Sequence, residues 1–365
     1  MTLTRIVKTT SSIILMMVLF APDFFGRDPY YTQFSNVPLF YNPAFTGIYT
    51  GARFRLLSRS QNITPASGFK GYHFSADLGD RNLPGSGGFG VILNTDNEGI
   101  GFIRNFNLGV SFSARVPFNR FMIGQIGIKA SWLQKRVSWD DFNYTEKLAE
   151  QYGHLYDSGF IRPAINVLNL PDFGIGGLVQ FTNSRGCLSG IVGFAVDHLF
   201  EPDESFLQTT KSPLARRWTV HADLVFSVRC PSGFNEKEDD ALKINPAVIF
   251  QNQGNTSELQ AGINLTNYGI YFGLWYKGLY GPEKNNTIAL LGGYRYVFAD
   301  KMSIKCTYSY DMQVTGPHKK DGGIHEISLV LEFSSLHLFK NSHGSSYRSL
   351  TQAQKYNSQL AYSDF

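Results

Sequence analysis

The chain has 365 residues, of which 17% are charged and 15% aromatic, with 36 glycines, 19 tyrosines and 30 phenylalanines. So little charge beside so much aromatic and glycine argues against an ordinary soluble domain, while a mean hydropathy of -0.15 excludes a bundle of membrane helices. The formal net charge of +4 is small, and two of its positives, Arg5 and Lys8, sit in an N-terminal targeting pattern, so no nucleic-acid partner is implied.

In chain order, Arg5 and Lys8 precede the apolar stretch from Ile13 to Phe20. That stretch is too short to cross a bilayer as a helix and fits a signal-peptide core, so residues 1–26 read as a signal peptide. Residues 27–47 are different. Pro29, Pro38 and Pro43 forbid a continuous helix or a central strand, so the backbone must be extended and irregular. Tyr30, Tyr31, Phe34, Phe40, Tyr41 and Phe45 make the same segment apolar enough to need burial. It is expected either to plug a lumen or to dock on a partner in the periplasm.

From residue 48 to 334 the pattern alternates with period two, the mark of strands with two unlike faces. In Asn105–Val116, the residues Phe106, Leu108, Val110, Phe112, Ala114 and Val116 share one face. Trp218–Arg229 and Met302–Asp311 repeat the arrangement. Such runs outlast the usual globular strand and suit strands tilted across hydrocarbon, which need about 9–11 residues. Turn signals divide the region into strands near 48–58, 69–80, 87–95, 105–117, 121–136, 173–182, 186–197, 215–229, 243–252, 257–265, 269–279, 286–297, 301–311 and 322–334. Short links (Asn119, Asn183-Ser184-Arg185, Thr266-Asn267-Tyr268, Asp300) alternate with longer ones, above all Ser138 to Asp172 and His198 to Leu214. The link Cys230 to Leu242, with its acidic run, breaks that alternation. The reading is all-β: a transmembrane outer-membrane β-barrel of about fourteen antiparallel strands, with short periplasmic turns and long outer loops. A soluble sandwich or propeller is the competing architecture, and strand length and loop alternation both argue against it. Residues 335–365 are polar, lack alternation and read as a periplasmic tail.

Chemical motifs are scarce. The histidines, among them His73, His154, His198, His221, His318 and His325, show no metal-ligand spacing, and no GxSxG, P-loop or HExxH string occurs. Gly85-Ser86-Gly87-Gly88-Phe89-Gly90 has no helix to follow and reads as a turn. Cys187, Cys230 and Cys306 are far apart and odd in number, so isolated cysteines are expected. No catalytic set, metal site or cofactor is predicted. The phase of the alternation places Arg53, Arg55, Arg59, Lys129, His221, Asp223, Lys305 and Asp311 on the lumen side. They could line a charged pore or grip a bound peptide, or simply pair with one another as barrel interiors do.

Three segments, in order along the chain, carry a resemblance. The first is Asp28-Pro29-Tyr30-Tyr31-Thr32-Gln33-Phe34, continuing to Asn42-Pro43-Ala44-Phe45-Thr46-Gly47. The second is His198-Leu199-Phe200-Glu201-Pro202 with Leu214-Ala215-Arg216-Arg217-Trp218-Thr219-Val220-His221, and the third Ser309-Tyr310-Asp311 with His325-Glu326-Ile327-Ser328-Leu329. Together they resemble the PorP/SprF family, outer-membrane proteins of the type IX secretion and gliding-motility machinery of Bacteroidetes-type bacteria. The opening motif is the most specific, since barrel physics does not demand its Pro and Asn spacing. Gln61-Asn62-Ile63 and Arg27 depart from the family pattern and mark a divergent member. The resemblance implies a non-enzymatic accessory barrel. It would bind or anchor a secreted surface protein or adhesin through its C-terminal domain, or link to periplasmic type IX components or a peptidoglycan-linked scaffold. Asp28, Pro29, Gln33, Phe34, Asn42, Pro43, Ala44 and Phe45 are its expected partner-binding residues. A passive transport barrel, a porin or hydrophobic-solute channel, is the alternative.

Overall fold

The computed structural model describes residues 28–61, 68–79, 87–98, 103–119, 121–139, 163, 165–184, 187–207, 210–228, 242–281, 284–298, 302–315 and 323–333. The expected signal peptide and C-terminal tail lie outside them.

Fourteen antiparallel strands close into one barrel. They are β1 (Gly51–Gln61), β2 (Phe69–Gly79), β3 (Gly88–Glu98), β4 (Ile103–Asn119), β5 (Met122–Val137), β6 (Val167–Thr182) and β7 (Leu188–Asp197). The second half comprises β8 (Arg217–Ser227), β9 (Lys243–Gln253), β10 (Thr256–Asn267), β11 (Ile270–Tyr280), β12 (Asn285–Phe298), β13 (Met302–Gln313) and β14 (Ile324–Phe333). Each strand pairs with its sequence neighbour, and β1 closes on β14 with Arg53 opposite Glu332. Closure leaves no edge, so every strand meets the bilayer's demand that backbone N–H and C=O groups find partners within the protein. The number and order of strands agree with the sequence reading.

Most boundaries moved by a residue or two, and four by three or more: both ends of β1 (48–58 expected), the end of β3 (95 expected, Glu98 found) and the start of β6. β1 starts at Gly51 rather than 48, because Pro43–Phe45 forms a 3-10 turn and the next residues still belong to the preceding segment. β6 starts at Val167 rather than 173, since β5 runs long and holds it in register as far as Arg136 opposite Val167. The cysteine expectation is corrected as well: Cys187, at the start of β7, is disulfide-bonded. Cys306 is free and outward on β13, and Cys230 falls in the link outside the described residues.

One mouth of the barrel carries the links 138–166 and 198–216, and the other carries most of the short turns and the chain leaving β14 at Phe333, together with the 228–242 link that breaks the alternation. The first is therefore the outer mouth and the second the periplasmic one. Outward positions form an apolar belt, with Leu56, Phe112, Ile126, Phe194, Phe272 and Ile327 all exposed to lipid. This closed antiparallel barrel, apolar outside and charged inside, is an outer-membrane protein.

Candidate functional site: a lumen filled by the N-terminal segment

Residues 28–50 lie inside the barrel. The three prolines break the segment into short pieces: a 3-10 turn at Phe34–Asn36, one helical turn α1 (Pro38–Tyr41), and the 3-10 turn at Pro43–Phe45. Its aromatic residues pack on inward side chains that interrupt the polar lining. Tyr31, Phe34, Val37, Phe40 and Tyr41 form one cluster with Leu57, Ile249, Tyr271, Trp275 and Leu291. Leu39, Ala44, Phe45 and Ile48 form a second with Ile92, Leu178 and Ile191. At about 1.5–3 kcal/mol for each large apolar side chain buried, these clusters are the main force holding the segment in place.

The segment runs along the lumen from one mouth toward the other. Its first described residue, Asp28, sits at the outer mouth, and Gly47 sits at the periplasmic one, where its N–H donates to Asp77 (3.0 Å). At the outer mouth Asp28 meets Arg217 (2.7 Å) and His198 (2.8 Å), and its backbone N–H donates to Gln253 (3.0 Å). Arg217 also binds Asp197 (2.6 Å), donates to the Phe40 carbonyl (2.8 Å) and covers the Phe40 ring at 4.3 Å. Lys129 pairs with Asp197, and His198 reaches Asp172 through its other nitrogen (3.1 Å). Burial alone would raise the Asp28 carboxyl, but His198 and Arg217 overcome it and hold that group well below the usual carboxylate range. Burial likewise opposes the charged His198 ring, yet Asp28 and Asp172 raise it to about 10. The cluster is a charge latch joining the head of the segment to the base of the β7–β8 link.

Deeper in, the Glu326 carboxylate accepts the backbone N–H of Thr32 (3.0 Å) and of Gln33 (3.0 Å). The Gln33 amide donates to Ser309 (3.1 Å) and accepts from Ser328 (2.6 Å), while Lys277 bridges Thr32 and Asp311. Asn42 caps the last 3-10 turn by accepting from Ala44 N–H (2.9 Å). Its amide nitrogen reaches the Gly177 carbonyl (3.2 Å) and His221 (3.1 Å), whose ring stacks on Phe45 at 4.8 Å. Pro43 and Ala44 fit because Gly127 and Gly176 face them from β5 and β6. A Cβ at Gly127 would overlap the Pro43 carbonyl and the Ala44 nitrogen, and one at Gly176 would overlap the Asn42 amide.

The eight residues expected to bind a partner (Asp28, Pro29, Gln33, Phe34, Asn42, Pro43, Ala44, Phe45) thus all lie in the lumen, against the barrel's own wall. The eight expected lumen-facing residues are all buried, between 0% and 8% exposed. They do not form one site. Arg53 pairs with Glu332 (2.9 Å), Arg55 with Asp77, Arg59 with Glu326 (3.7 Å), Lys129 with Asp197, and Asp311 with Lys277 (3.0 Å). Asp223 accepts from Asn245, and Lys305 lies over the Tyr271 ring at 4.6 Å. Arg217, Asp197, His198, Glu326 and the two glycines were missed as site residues. Leu57, placed between Arg55 and Arg59 on the inner face, was the available signal that something apolar fills this lumen. Among the described residues, no group of three or more His, Cys, Asp or Glu could hold a metal ion.

No curated protein matches the chain. Among solved structures it is similar to the CymD monoaromatic hydrocarbon channel, at 13% identity and a TM-score of 0.45, over 82% of this chain and 93% of that one. It is also similar to a Pseudomonas aeruginosa FadL homologue, at 14% identity and a TM-score of 0.43, over 86% of this chain and 95% of that one. The Pseudomonas putida toluene transporter TodX is similar at 11% identity and a TM-score of 0.39, over 83% of this chain and 93% of that one. A sequence model described as "Type IX secretion system membrane protein PorP/SprF" matches residues 23–331. That match spans most of the sequence and covers the lumen segment together with nearly the whole barrel, so the chain belongs to the PorP/SprF family of type IX secretion system membrane proteins.

Proposed function

We propose that this barrel is a sealed accessory component of the type IX secretion apparatus, which holds a protein rather than passing a solute. The partner is a secreted surface protein, bound through its C-terminal domain, or a periplasmic component that ties the barrel to the cell-wall scaffold. The observation that carries this reading is the filled lumen. Residues 28–50 are clamped toward the outer mouth by Arg217 and Glu326, in the middle by the glycines, and at the periplasmic mouth by Asp77. The inward arginines that would favour a charged pore are paired with Glu332, Asp77 and Glu326. In this reading the opening-motif residues act indirectly: they keep the lumen shut and shape the outer mouth, while the rims meet the partner. No catalytic role is assigned.

Deletion of the gene should abolish surface display of at least one type IX substrate or stop gliding, and the detergent-purified barrel should bring its partner with it. Intact display of every substrate together with intact gliding in the deletion strain would sink the proposal. Solute-selective conductance by the wild-type barrel would favour the transport alternative.

A further inference from the structure

The lipid-facing side of the barrel is almost without charge, and its exceptions are gathered in one place. Strand register assigns each residue to a face. Of the outward positions on all fourteen strands, three carry a charged side chain: Lys70 on β2, Arg104 on β4 and Arg136 on β5. All three are cationic and exposed, and all lie at the outer-mouth ends of their strands. They also share one row of the sheet, in which Lys70 is opposite Asn97 of β3, Asn97 opposite Arg104, and Arg104 opposite Arg136. The described carboxylates on these and the neighbouring strand, Asp77, Asp96 and Asp172, are buried on the inner face. None of the three cations pairs with a carboxylate among the described residues.

Two arginines directly opposite on neighbouring strands repel one another, and sheets avoid such pairs unless an anion lies between them. One step toward the membrane centre, the outward residues of the same four strands are Tyr72, Thr95, Phe106 and Gln134, and one step further come Phe74, Leu93, Leu108 and Trp132. Phe106 and Trp132 pack edge to face at 6.0 Å. Cations therefore stand above a mixed row of Tyr72, Thr95, Phe106 and Gln134 and then a wholly apolar and aromatic one, in the order in which a lipid presents its phosphate, its polar linkage and its chains. On the other strands the outward residues at the outer ends are uncharged, as with Trp218 on β8, Asn252 on β9 and Tyr280 on β11. The exposed cations just beyond strand ends there stand singly: Lys284 before β12, and Arg216 before β8, which pairs with Glu201 (3.5 Å). What sets this arc apart is that three strand cations share one row, two of them directly opposite each other.

We propose that Lys70, Arg104 and Arg136, with Asn97 between them, form a binding site for the phosphates of an outer-leaflet glycolipid of the lipid A type. The two arginines would grip one phosphate by charge-assisted hydrogen bonds, and Lys70, two strands away, would reach a second. This site does not depend on which protein the barrel holds.

The test is lipid retention by the full-length barrel purified from membranes, measured by native mass spectrometry with bisphosphorylated lipid A as the probe. Each cation near the surface contributes about fivefold, so the triple variant Lys70→Gln/Arg104→Gln/Arg136→Gln should bind on the order of a hundredfold more weakly. Fully dephosphorylated lipid A should bind wild type as weakly as that variant binds the phosphorylated form. The charge-keeping variant Lys70→Arg/Arg104→Lys/Arg136→Lys should retain most of the affinity. Heat-modifiable mobility on gels reports whether each barrel has folded. Should the triple variant fail to fold, the single variants Arg104→Gln and Arg136→Gln should each lose about fivefold. Equal retention by the glutamine variants, equal binding of dephosphorylated lipid, or displacement by inorganic phosphate at the concentration of the lipid would each overturn the assignment.

Discussion

At the scale of single residues, the lumen segment is held by shape as much as by bonding. Gly127 matters for what it lacks, since a methyl group there meets backbone atoms of Pro43 and Ala44 that a proline-fixed turn cannot withdraw. Gly127→Ala should cost about 1–3 kcal/mol and raise amide exchange across residues 42–47, as read by hydrogen–deuterium exchange. Unchanged protection would show that the turn gives way freely. Arg217 is the opposite case, a buried charge that satisfies two carboxylates at once. Arg217→Met leaves Asp197 and Asp28 without their shared partner and should destabilise the latch by about 3–5 kcal/mol, seen as a lower thermal midpoint and as proteolysis near Asp28.

At the scale of elements, the latch couples the lumen segment to the β7–β8 link, and pH separates its two halves. Asp28 titrates below its ordinary 3.8 in the folded protein, so its stabilisation is present above that value and is lost as pH falls further. His198 is raised from 6.5 to about 10, so its stabilisation is complete below 6.5 and declines as pH rises toward 10. The head of the segment should therefore be most protected between about pH 4 and 6.5 and loosen steadily on the alkaline side. Protection factors for Thr32 and Gln33, corrected for intrinsic exchange, would show this, and His198→Gln should remove the alkaline limb alone. A flat profile up to pH 10 would mean that the apolar clusters, not the latch, hold the segment's head.

At the scale of the whole molecule, the barrel wall and its filling form one interior. Inward strand positions alternate between ion pairs such as Arg53–Glu332 and apolar seats such as Leu57 and Trp275. Wild-type protein in a planar bilayer should therefore show no ion conductance. The double variant Asn42→Ala/Arg217→Met, which loosens the middle and the outer end together, should show frequent opening steps. Steps of equal size and frequency in wild type would contradict the sealed lumen. The same whole-barrel register aligns Lys70, Arg104 and Arg136 on the outside, although they are distant in sequence.

The sequence by itself determined the strands, their number and which side chains face inward. Period-two alternation is a local property, and each strand such as Trp218–Phe226 displays its two faces without reference to its neighbours. The opening motif was equally visible as a segment needing burial, because its prolines and aromatics lie within about twenty residues of one another. What only the tertiary structure decided was where that segment goes and what receives it. Asp28 meets Arg217, Thr32 meets Glu326, and Asn42 meets Gly177 and His221, each across well over a hundred residues of chain. No local pattern encodes such pairings. They follow from the closure of β1 on β14, which folds a linear series of hairpins around a common axis and brings every inner face to the same lumen.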